Sequence, residues 1–395
     1  MTAPAPRWRV VSALGVTQIL AWGSSYYLPA VLAGPVTTDT GWSLSWVVGG
    51  LSLGLLIAAA VSPAVGRTIA RRGGRPVLAA SAVLLALGQA GLALAPSLPL
   101  FTAAWLVMGL GMAAGLYDPA FATLGRLYGA GGRSAITTLT LFGGFASTVC
   151  WPLSAFLVTH LGWREACLAY AATQLGISLP IYLLGLPREP VGTASAAPAS
   201  PGMKPRPVAA PAPGLLPLMA AAITIASFVS ALLSVHLLTV LQVKGLALAS
   251  AVALGALVGP SQVGARAVEL AIAKRHHPIW TKLAATSLVA LGVAALWAGG
   301  SLLTPALLLY GAGIGLESIA RGTLPLAVVG QESYPIVMGR IALPSLLAQA
   351  GAPLAGSLLL GGTGADGTLA VLIAVAGLNV LLSAGLFVTV RASPR

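Results

Sequence analysis

A chain of 395 residues that is 57% hydrophobic and only 7% charged, with a mean hydropathy of +0.93, cannot be a water-soluble globular protein, whose charged share is about a quarter. The charge it does carry is unbalanced, 21 Lys and Arg against 8 Asp and Glu for a net +13, so a nucleic-acid partner must be told apart from a topological cause. Cys150 and Cys167 both fall in apolar runs, and neither a disulfide nor a metal site is expected.

Apolar runs of about 20 residues, long enough to cross a ~30 Å hydrocarbon core, recur along the whole chain. The expected spans are 9–33, 43–66, 75–96, 99–127, 134–160, 164–187, 215–240, 247–273, 279–300, 303–330, 336–361 and 368–390. Lipid demands that each span satisfy its own backbone hydrogen bonds, as a helix does, and the ~10-residue alternation of a β-barrel is missing. The opening "MTAPAPRWRVVSALG" lacks a short apolar core with a cleavage site, so the first span is expected to be retained.

With the N-terminus inside, all but four of the 21 Lys and Arg fall on the cytoplasmic side, Lys282 among them. Arg164 and Lys244 lie outside, and Arg266 and Arg321 lie within spans. The positive-inside rule then puts both termini in the cytoplasm of a multi-pass protein of a bacterial-type inner membrane. The basic pI therefore reports topology; the expected partners are the bilayer and a small-molecule substrate, not nucleic acid, and the chain is expected to be monomeric.

"GLYDPAFATL" at 115 and "GLESIARGTL" at 315 share Gly, Leu, Ala, Thr and Leu at an offset of 200, which points to duplicated halves. Between them a Pro/Ala/Ser-rich tract is too polar and proline-broken to pack. The expected organisation is a six-helix half over 1–187, a cytoplasmic linker over 188–214 and a second six-helix half over 215–395. Gly111-x-x-x-Gly115 and Gly311-x-x-x-Gly315 have the spacing that lets helix backbones approach, and Pro119 and Pro325 are expected to kink their spans.

The loop "GRTIARRGGRP" resembles the Gly-x-x-x-Asp-Arg-x-Gly-basic-basic signature of the major facilitator superfamily. Gly66, Arg71, Gly73 and Arg75 match it, while Ala70 stands for the Asp and Gly74 for one basic residue. The resemblance implies an all-α membrane fold of twelve helices in two pseudo-symmetric six-helix bundles, and makes these four residues a cytoplasmic gate motif. In the family the missing Asp helps latch the cytoplasmic side in the outward-facing state, so the latch here is expected to be weaker or built from other charges. "GWSLSWVV" is similar to the element that opens span two in the monocarboxylate and oxalate:formate branch. That branch also carries Asp-x-x-x-Arg in span eight, matched here by Arg266 with Gln262 at the Asp position. Trp105 and Trp151 stand where many proton-coupled members carry Arg and where drug antiporters carry Gly, which weighs against an antiporter.

Five charges remain at membrane depth: Asp118, Glu269 and Glu317 with Arg266 and Arg321. Such groups are costly in lipid and normally face a bundle interior with a partner. Glu317 and Arg321 are spaced i,i+4 and Arg266 and Glu269 i,i+3, so each pair could be neutralised locally, or snorkel in the second case. Asp118 has no basic residue at either spacing. The resemblance implies that spans one, four, seven and ten line a central cavity, with Asp118 facing the Glu317–Arg321 element. Arg321, Arg266, Gln262, Tyr26 and Trp22 are thus expected to bind substrate, and Asp118 and Glu317 to couple protons. His236 is expected to cap a hydrogen bond or relay protons. No nucleotide-binding loop or metal-ligand set occurs, so neither enzyme activity nor a cofactor is expected, and energy would come from an ion gradient, H+ foremost. The expected activity is proton symport of a small, monocarboxylate-like organic anion; the alternative is proton-coupled export of an amphipathic drug or toxic compound.

Overall fold

The computed structural model describes residues 6–189 and 214–392, so nearly all of the expected linker lies outside the described residues. Among the described residues every regular element is helical. In chain order they are α1 (Arg7–Gly23), α2 (Pro29–Thr40), α3 (Leu44–Arg72), α4 (Gly74–Leu94), α5 (Leu98–Gly115), α6 (Tyr117–Tyr128), α7 (Gly132–Gly144), α8 (Ala146–Leu161), α9 (Trp163–Thr173) and α10 (Leu179–Gly185). Then come α11 (Leu215–Val243), α12 (Leu248–Gly255), α13 (Val258–Ile272), α14 (Pro278–Ala298) and the run α15 (Leu303–Ala392).

Two of the breaks have clear chemical causes. The Ser24 and Ser25 hydroxyls donate back to the carbonyls of Leu20 (2.7 Å) and Ala21 (2.5 Å), and Pro29, without an N–H, opens α2. Glutamines on other helices repair the damage: Gln89 donates to the Ser24 carbonyl at 2.8 Å and Gln174 to its hydroxyl at 2.9 Å. Away from water such repair is obligatory. The second break lies between α5 and α6, where Leu116 is extended and Pro119 sits in the first turn of the new helix, a place that needs no N–H. The kink expected at Pro119 is thus a full interruption, and it puts Asp118 in the first turn of α6, at the positive end of that helix. Pro325, by contrast, sits in an unbroken helical run.

At ~1.5 Å per residue the 90 residues of α15 would reach about four times the bilayer core. Gly330 and Gly364 interrupt the run with left-handed φ of 70° and 69°, conformations cheap only for glycine, and they divide it as the last three expected spans do. Among the described residues, nine helical runs are apolar and long enough to cross a membrane. Cutting the last at its two glycines and adding the broken α1–α2 agrees with twelve spans. Leu87, Leu94, Leu358 and Leu381 are largely exposed, as lipid-facing residues are.

The chain forms two compact units, one of residues 1–207 with 330–343, the other of 208–329 with 344–395. The first packs around Leu85, Trp105, Met108 and Tyr170, the second around Leu232, Val293, Leu307 and Leu372. Small residues set the helix spacing in both. A Cβ on Gly111 would stand 2.9 Å from the Leu85 backbone nitrogen, and one on Gly315 2.6 Å from the Gln262 carbonyl oxygen. The expected glycine-mediated approach is therefore present in both units.

Candidate functional site

In the second unit the charges expected at membrane depth lie on α13 and α15, and α14 adds one that was not expected there. Glu317 does not pair with Arg321. Its Oε1 accepts from the Lys282 ammonium at 2.5 Å, and that ammonium also donates to the Ala222 carbonyl on α11 at 3.2 Å. Lys282, expected in cytoplasmic water, has a side chain 0% exposed, against 15% for Glu317. A buried ammonium needs a counter-charge, and Glu317 supplies it to Lys282. Arg321, half-buried, donates from Nη1 to the Ser227 hydroxyl at 3.1 Å and from Nη2 to that of Ser345 at 2.8 Å. The second Glu317 oxygen, Oε2, is buried and accepts no hydrogen bond.

Arg266 and Glu269 do not snorkel either; both are buried. Arg266 donates to Gln262 Oε1 at 3.2 Å and to the Gly315 carbonyl at 3.3 Å, so Gln262 orients the arginine whose pattern it interrupts. Glu269 accepts from the Thr281 hydroxyl at 2.7 Å and lies 3.4 Å from His276 Nε2. His236 meets the Pro353 carbonyl at 2.9 Å, the hydrogen-bond capping expected of it.

In the first unit the predicted residues meet at the α5–α6 break. Gln18 donates to the Gly115 carbonyl at 2.6 Å and accepts from Trp22 Nε1 at 3.1 Å. The Trp22 ring lies 5.2 Å from Tyr26 and 5.0 Å from Tyr117, next in chain to Asp118. Asp118 borders a narrow space with Ser62, Gly66 and Met338. The structure thus brings Trp22 against Tyr117, beside Asp118, with Tyr26 packed on the Trp22 ring, and Arg321, Glu317, Arg266 and Gln262 onto the adjoining α13 and α15 of the other unit.

The signature loop, which lacks its Asp, receives a carboxylate from elsewhere in the first unit. Arg126 donates through Nε to Glu189 and through Nη1 to the carbonyl of Ala70. The other Glu189 oxygen accepts from the Gly74 N–H at 3.2 Å, at the positive end of α4. Gly73 is required twice: its φ is +78°, and a Cβ there would lie 2.7 Å from Glu189 Oε1. Gly66 is a contact point, since its Cβ would stand 2.4 Å from the Pro335 carbonyl oxygen. Arg75 donates to the Leu183 carbonyl, while Arg71 is exposed in the last turn of α3, where its charge suits the helix end. Sequence reasoning missed Lys282 and Glu189. Lys282 stood inside the expected span 279–300, and Glu189 was one of only two acids on a face crowded with arginine.

Mouse monocarboxylate transporter 11 is 32% identical over 157 residues, 37% of this chain and 34% of that protein. An uncharacterized 38 kDa protein of Thermoproteus tenax is 36% identical over 137 residues, 34% of this chain and 35% of that protein. The chain thus spans about a third of the length of the curated relatives it matches. Among solved structures, the human organic anion transporter MFSD10 superposes with a TM-score of 0.73 at 18% identity over 96% of this chain and 99% of that one. The proton:xylose symporter XylE gives 0.73 at 12% identity over 95% and 94%, so the likeness is one of fold. Residues 14–341 match the pattern of the Major Facilitator Superfamily, and with the multi-pass helical fold this establishes that the chain belongs to that family of membrane transporters.

Proposed function

We propose that the protein moves a small, monocarboxylate-like organic anion together with a proton across a bacterial-type inner membrane, by alternating access and with both termini cytoplasmic. The observation that carries this reading is Arg321, a half-buried guanidinium inside the second membrane unit. Its Nη1 and Nη2 are among the donors a carboxylate would engage in charge-assisted, bidentate bonds, which are roughly twice as strong as the neutral ones these nitrogens make to Ser227 and Ser345. Glu317 beside it and Asp118 at the α5–α6 break are the proton-accepting candidates, with Arg266 held by Gln262 as a second cation. An anion-transporting neighbour in fold and a partial monocarboxylate-transporter relative support the same class. No cofactor is invoked; the proton gradient supplies the energy.

The alternative, proton-coupled export of an amphipathic drug, draws on the rings of Trp22, Tyr26 and Tyr117, which suit a flat or cationic ligand. Binding separates the two. A ligand at about a hundred times its Kd stabilises the folded state by ~2.7 kcal/mol, so carboxylates should raise the melting temperature of the purified protein while quaternary ammonium compounds leave it unchanged. Stabilisation by the cations alone would favour the exporter. For orientation, cysteine at exposed Arg72 should be labelled only from the cytoplasm; labelling from outside would reverse it.

A further inference from the structure

We propose that Lys282 belongs to the coupling machinery as a positioning residue. It fixes the charge of Glu317 so that one proton and one monoanion occupy the second unit together. This rests on the organic-anion reading above.

The argument starts from burial. The Lys282 side chain has no exposure, and its ammonium meets one carboxylate and one carbonyl, Glu317 and Ala222. A buried ion pair is weak evidence for stability, because well-packed apolar residues often do as well. What it offers is a charge balance that a single proton can upset. Glu317 Oε2, buried and without a hydrogen bond, can take that proton without breaking any bond now made. The O–H forms, the carboxylate becomes neutral and Lys282 loses its counter-charge in a dry setting. The local charge has risen by one. A monoanion restores it, and the same anion finds Arg321 one helical turn along. Release of the anion leaves Lys282 again in need of a negative partner, which drives the proton off Glu317. Proton and anion therefore travel as a neutral pair.

The charged neighbours fit this assignment. Lys282 on α14 and Arg321 on α15 face Glu317, α11 presents the Ala222 carbonyl and Ser227, and Ser345 is neutral. On α13, Glu269 is engaged by Thr281 and His276, and Arg266 by Gln262 and the Gly315 carbonyl.

The test uses the full-length protein in liposomes, with L-lactate as probe and a trapped pH dye. Wild type should take up one proton per lactate and be indifferent to a clamped membrane potential. Lys282→Met should lose acid-driven accumulation at least about tenfold and lose its pH dependence while keeping lactate–lactate exchange; those are readouts that a merely structural lysine would not move. Lys282→Arg should recover part of the coupling. Should Lys282→Met fold poorly, Lys282→Met with Glu317→Gln removes both charges and should fold, exchange and remain uncoupled. Wild-type coupling in either Met variant overturns the assignment of Lys282. A wild type that takes up no lactate instead overturns the anion reading, and the proposed stoichiometry with it.

Discussion

Arg321→Ala should abolish uptake of small carboxylates, and Arg321→Lys should retain it with a strongly raised KM. Lysine keeps the charge but is a compact ammonium that loses the planar fork, and it cannot span Ser227 and Ser345 as the guanidinium does. Truncating one partner of a buried charge-assisted contact costs roughly 2–5 kcal/mol, or a loss of about thirty- to several-thousand-fold, which an uptake assay reads as near-complete. The structure adds a second expectation. Because Glu317 is held by Lys282, Arg321→Ala leaves that carboxylate paired, so the variant should fold, and adding Glu317→Ala should restore neither folding nor transport. Transport by Arg321→Ala at the wild-type rate would refute the anion site.

Glu189→Ala should be the most destabilising change in the first unit. The carboxylate and Arg126 are each only 6% exposed, and the same carboxylate receives the Gly74 N–H. Its removal leaves a buried guanidinium without its ion pair, a loss of about 3–5 kcal/mol where such pairs have been broken. Glu189→Gln keeps an acceptor for Gly74 and should cost less. Ala70→Asp, which restores the signature's own carboxylate on the adjoining turn, should recover part of the loss. Thermal melting of the three variants checks the order; a Glu189→Ala protein as stable as wild type would show that the loop is latched by something else.

These two sites mark where sequence reading stops. The spans, a disturbance of the helix at Pro119, the glycine contacts at 311 and 315 and the buried charges were legible because each follows from local rules: hydropathy over ~20 residues, the missing proline N–H, small-residue spacing, the cost of charge in lipid. Partner choice was not. Helical spacing nominates Arg321 for Glu317, but the ammonium that reaches Glu317 comes from α14, 35 residues away in sequence. The positive-inside rule hid Lys282 further, since it treats every lysine near a span end as solvated. Glu189 comes to the signature loop from 115 residues beyond Gly74, a distance no local pattern spans.

The central claim is that a proton gradient drives the anion. Wild-type protein in liposomes, neutral inside and acidified outside, should accumulate L-lactate above equilibrium and acidify the lumen as it does so. Asp118→Asn, which keeps a residue suited to the first turn of α6, should exchange lactate without accumulating it. Lactate accumulation that ignores the pH gradient, or lumenal acidification that appears only when a cationic amphipath leaves, would contradict the account.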